Sequence, residues 1–131
     1  MLLRSIPALL YMAGIFAASS VPDLGELPAM SDKSWHALAY SGLGALVAFA
    51  LAEGRPLRLS WGRALVAVAI ATVYGATDEW HQSFVPGRAA DAADLLADAI
   101  GAAAGVTAAA LAGAARAWGI LGIRPSRVDP S

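Results

Sequence analysis

The sequence predicts an all-α protein built as a four-helix transmembrane bundle. Three observations carry that expectation. The 131 residues are 58% hydrophobic and only 15% charged, with a mean hydropathy of +0.60, far more apolar than a soluble domain of this length requires. Four apolar runs of near-spanning length are separated by stretches rich in Pro, Gly and charge. Most of the polar chemistry is compressed into the interval Tyr74 to Gly105, where Asp78, Glu79, His81, Gln82, Arg88, Asp91, Asp94 and Asp98 all fall. A carboxylate at mid-bilayer costs roughly 2.5–3.5 kcal/mol on insertion scales, so acids at a membrane boundary are read first as a functional site.

The first span is expected over about residues 3–20, with Arg4 near its start and Pro7 in the first turns, where a helix tolerates proline best. Its rival is a cleaved signal peptide, since Arg4, the apolar centre and the small residues Ala18 and Ser20 imitate a cleavage site. A second hydrophobic helix follows, which favours retention. Residues 21–33 hold two prolines, a glycine and acids, a loop composition, and Ser31 or Asp32 offers an N-cap for the second span, about 34–52. Lys33, His36, Tyr40 and Gly44 share one face near its start.

Residues 53–63 read as a short loop with three arginines. The third span, about 60–80, reaches full length only by including Thr77, Asp78 and Glu79, so its far end is polar by construction. Tyr74, Asp78, His81 and Gln82 fall on one side of it, and Pro86-Gly87 ends it. In the fourth span, about 91–115, Asp91, Asp94 and Asp98 form a stripe that continues through Gly101 and Gly105. That small-xxx-small pair lets another helix approach closely, within the chain or across a homodimer. Asp98 lies about 10 Å along the helix axis from Asp91.

With four spans both termini share a side. Arg4, Arg55, Arg58, Arg63, Arg116, Arg124 and Arg127 lie there and make it cytoplasmic, whereas only Lys33 and Arg88 lie opposite. The outward side gathers eight acids, including Asp23, Glu26 and Asp32, so pairing with two strong bases leaves carboxylates over. A single membrane domain over 1–131 is expected, in the bacterial cytoplasmic membrane, with its polar site facing outward. The net charge of −1 and the lack of a phosphate loop set nucleic acid aside. The absence of cysteine removes disulfides, thiol catalysis and thiolate metal sites.

Two readings of the polar set compete. In one, a pocket open to the outer leaflet binds or transforms a lipid headgroup: His36, Glu79 and Asp94 act catalytically, as base, acid or nucleophile. Lys33, Tyr40, Asp78, His81, Gln82, Arg88, Asp91 and Asp98 then hold the substrate, a membrane lipid or lipid-linked cell-wall precursor. The reaction class is phosphoryl or acyl transfer or hydrolysis. In the other, the same residues form an interhelical clasp in a scaffold or binding protein. A metal version of the site would use His36, Asp78, Glu79, His81 and Asp94 as oxygen and nitrogen ligands for Zn²⁺, Mn²⁺ or Mg²⁺; their spacing matches no established metal motif, so no metal site is assigned, and no cofactor is identified.

The pattern Asp32-Lys33-x-x-His36-x-x-x-Tyr40, then Tyr74-Gly75-x-x-Asp78-Glu79-x-His81-Gln82-x-Phe84-x-Pro86-Gly87-Arg88-x-x-Asp91-x-x-Asp94 with a downstream Gly101, resembles the VanZ-like family of small bacterial membrane proteins. The resemblance covers about Asp32 to Gly105. It implies a multi-pass helical membrane protein with Lys33, His36, Asp78, Glu79, Gln82, Arg88, Asp91 and Asp94 as the polar signature. It also raises a link to glycopeptide resistance of the teicoplanin type, for which the family is named. Asp98 departs from the family pattern, where asparagine is usual, and adds a negative charge deep in the bundle.

Overall fold

The computed structural model describes residues 2–22, 31–55 and 59–117. Among them the chain forms four helices and no strand: α1 (Leu2–Ser19), α2 (Asp32–Leu51), α3 (Trp61–Gln82) and α4 (Ala92–Ala117). The expectations for Asp23, Glu26, Arg58, Arg124 and Arg127 lie outside the described residues. Helices α2 and α4, of 20 and 26 residues, are long and apolar enough to cross a membrane. Helix α1 is a shorter apolar helix, and α3 runs from an apolar start into Asp78, Glu79 and Gln82.

Short polar residues set the helix limits. Of the two caps open to α2, Ser31 takes the position: its Oγ accepts the Ser34 N–H at 3.3 Å, leaving Asp32 in the first turn, where the helix dipole favours an acid. Ser60 caps α3 the same way through the Arg63 N–H. Asp91 precedes α4, and its Oδ1 accepts the Ala93 N–H at 2.8 Å. The turn between α3 and α4 passes through Gly87 at φ 82°, a left-handed conformation that glycine adopts without a Cβ penalty.

Helix α2 packs against all three others. Its contact with α4 is closest, because the backbones themselves meet: Gly101 lies against Ala37, Gly105 against Ser41, and Gly44 against Ala102. A Cβ at Gly44 would stand 2.9 Å from the Ala102 Cα, and one at Gly101 or Gly105 would run into the carbonyl of Ala37 or Ser41. Both glycines of the small-xxx-small pair are thus used inside the chain. From Lys33–Asp94 and His36–Asp98 to Ala37–Gly101 and Ser41–Gly105 positions rise together, so α2 and α4 are parallel.

The interior is made of small residues, Ala8, Ala48, Ala67, Ala71 and Ala102, around Tyr40, Leu43, Val47 and Val106. Large apolar side chains point outward on every helix, among them Leu3 (82% exposed), Leu38, Trp61 (88%) and Leu111. The C-terminal ends of α1 and α3 and the N-terminal ends of α2 and α4 meet at one end of the molecule, joined by side-chain hydrogen bonds.

Candidate functional site

At that end α3 contributes Asp78, Glu79 and Gln82, α4 contributes Asp94 and Asp98, and all five are buried. Asp78 and Gln82 stand one turn apart on α3 with Glu79 beside them, and Asp94 and Asp98 stand one turn apart on α4. Lys33, His36 and Tyr40 descend the facing side of α2.

The outermost layer is ionic. Lys33 Nζ donates to Asp91 Oδ2 at 2.9 Å and to Asp94 Oδ1 at 3.1 Å, with Lys33 and Asp91 half-exposed and Asp94 buried. The Asp91 carboxyl is held below its ordinary range, first by the Ala93 N–H it accepts and then by the Lys33 ammonium.

The next layer is centred on Gln82. Its Nε2 donates to Asp78 Oδ2 at 3.1 Å and to Glu79 Oε1 at 3.3 Å, while its Oε1 accepts from Arg88 Nη1 at 3.2 Å. Ser19 Oγ donates to Asp78 Oδ1 at 2.6 Å, and the Asp91 N–H donates to Glu79 Oε2 at 3.0 Å. The hydrogen bonds to the adjacent carboxylates Asp78 and Glu79 therefore come from neutral donors. Among the described residues Arg88 departs from the expected acid pairing. Its Nε donates to the Val21 carbonyl at 3.1 Å, so among the described residues its partners are an amide and a backbone oxygen.

Deepest is His36. Its Nδ1 is 2.9 Å from Asp98 Oδ1 and 3.9 Å from Glu79 Oε1. Its ring lies parallel to that of Tyr40, centroids 6.5 Å apart. Asp98 Oδ2 and the Tyr40 hydroxyl are buried without a hydrogen-bond partner among the described residues. Gly75 admits this packing, since a Cβ there would stand 2.8 Å from Asp98 Oδ2 and 3.2 Å from the Tyr40 ring.

Ten of the eleven residues singled out in the sequence line this one end as a connected or directly adjoining set. His81 stands apart. Its ring stacks on Phe16 at 4.3 Å and its Nε2 meets Ser20 Oγ at 3.1 Å, so it faces α1. Ser19 and Ser20 are the polar partners that sequence reasoning missed. Their signal was two hydroxyls closing an apolar run, of which only Ser20 entered the sequence reading, beside Ala18 in the rival signal-peptide account.

Fold and site together define a small all-helical protein with two membrane-capable helices and an acid-rich polar network at one helix-bundle end. The chain belongs to the VanZ/LLP1 family, whose family model matches residues 7–113. No curated protein and no solved structure matches it.

Proposed function

We propose that this is a four-span protein of the bacterial cytoplasmic membrane, with both termini cytoplasmic, whose outward polar end binds or processes the headgroup of an envelope lipid. The observation that carries this reading is the convergence of polar side chains from all four helices on one end of a molecule with an apolar perimeter. Lipid is the surround such a perimeter fits. Arg4, Arg55, Arg63 and Arg116 belong to the opposite end, the arrangement of the positive-inside rule. Half-exposed Lys33 and half-buried Arg88 stand at the mouth, the residue types that hold a phosphate or pyrophosphate. Behind them Glu79, bonded by neutral donors and 3.9 Å from His36, is better placed than Asp94 for general acid or base work, because Asp94 is engaged by Lys33. Phosphoryl or acyl transfer or hydrolysis on a lipid-linked substrate is the reaction class, and altered susceptibility to teicoplanin-type glycopeptides is the phenotype this reading expects.

Native mass spectrometry of the protein extracted in its own lipids tests this. A specific lipid adduct on the wild type, lost in His36→Ala and Glu79→Gln, is expected. A folded wild type without any such adduct would sink the proposal. The second reading, an interhelical clasp, is favoured by how fully Ser19, Gln82, Lys33 and the Asp91 N–H satisfy the acids from within. It anticipates stability losses in both variants with no adduct in the wild type.

A further inference from the structure

His36 is one of two histidines in the chain, and its imidazole sits between carboxylates supplied by two other helices. One ligand atom each from His36, Glu79 and Asp98 lies within 4.8 Å of the others. A tetrahedral Zn²⁺ about 2.1 Å from its ligands sets them about 3.4 Å apart. That length falls between the 2.9 Å and 3.9 Å that separate His36 Nδ1 from Asp98 and Glu79. Because the three side chains come from α2, α4 and α3, helix packing and not a local loop fixes their separation.

A second observation, independent of this spacing, points to a ligand. Asp98 and Tyr40 are each 1% exposed, and Asp98 Oδ2 and the Tyr40 hydroxyl have no partner among the described residues. A buried carboxylate oxygen left unpaired is costly, and a cation is what such an oxygen accepts. Charge argues the same way. Among the described residues the buried carboxylates are Asp78, Glu79, Asp94 and Asp98, and the cationic side chains within ion-pair distance of them are Lys33 and His36. Arg88 is bonded to Gln82 and to the Val21 carbonyl. A divalent ion at His36 replaces one proton by two positive charges where the acids are densest.

His36 also groups with Asp32 and Asp94. That set is weaker, since Asp32 is exposed and Asp94 is already held by Lys33.

We propose that His36, Glu79 and Asp98 form a Zn²⁺ site joining α2, α3 and α4, with a fourth position for water or an oxygen of a bound group. The site does not depend on the lipid reading, because zinc serves a clasp as well as a catalyst. The test uses the full chain in detergent, stripped with chelator, incubated with Zn²⁺ and passed through gel filtration before metal analysis. Wild type and Asp32→Asn are expected to retain one Zn²⁺ per chain. His36→Ala, Glu79→Gln and Asp98→Asn are expected to weaken retention by more than roughly tenfold. Should those variants fail to fold, Co²⁺ added to the stripped wild type alone still decides the matter. Intense visible absorption of tetrahedral Co²⁺, bleached by Zn²⁺, supports the site. A folded wild type that retains no stoichiometric Zn²⁺, that gives only weak octahedral Co²⁺ absorption, or whose retention is lost in Asp32→Asn and kept in Glu79→Gln overturns it.

Discussion

Ser19 reaches across 59 positions of sequence to hold Asp78, and the short 2.6 Å bond is charge-assisted. Both residues are buried, so Ser19→Ala leaves a carboxylate oxygen short of a donor. A loss of about 1–3 kcal/mol is expected in denaturant unfolding of the detergent-solubilised protein, whereas Ser20→Ala, at an exposed hydroxyl, should change it little. The outer ionic layer makes a separate prediction through pH. Asp91 titrates below its ordinary value of 3.8 in the folded chain, so its contribution to stability is fully present above that value. The contribution is lost as pH falls through the lower folded value. Acid unfolding should therefore differ between wild type and Asp91→Asn above pH about 4, and the two curves should converge only at more acidic pH.

At the scale of the helices, the contact between α2 and α4 is set by absent side chains. Gly105→Ala drives a methyl group into the Ser41 carbonyl and should cost about 1–3 kcal/mol, with the helices forced apart. Gly14→Ala on α1 meets nothing within 4 Å and should instead be neutral or stabilising by up to about 1 kcal/mol. Thermal unfolding of the two variants side by side distinguishes packing from propensity. The helices themselves were legible because apolar runs and their Pro, Gly and Ser punctuation are local signals. So were the shared face of Lys33, His36 and Tyr40 on α2 and the acid stripe on α4, since each follows from the helical period. What sequence periodicity does not carry is which helix each face meets. His81 shares a side of α3 with Asp78 yet packs on Phe16, and Arg88 reaches an amide and a carbonyl, because both outcomes depend on where the end of α1 lies. Tyr40 likewise reads as a polar contact and proves to be buried beside Gly75.

For the molecule as a whole, the proposed orientation has a direct measurement. The chain contains no cysteine, so a single introduced thiol is an unambiguous reporter. In intact cells a membrane-impermeant maleimide should label Phe84→Cys, at an exposed position of the polar end, and should leave Arg116→Cys unlabelled until the membrane is opened. The reverse pattern would invert the topology. The polar network is also divided along the chain: Ser19, Lys33 and His36 precede residue 56, while Asp78, Glu79, Arg88, Asp91, Asp94 and Asp98 follow residue 58. During synthesis the donors and cations of α1 and α2 are made before most of the acids they hold. The second half emerges with five acids and one arginine in this network, and its Glu79–Asp91 bond is internal to it. A chain severed within 56–58 thus yields two fragments of opposite need: the first can wait, and the second is left with a charge surplus that only its counterpart relieves.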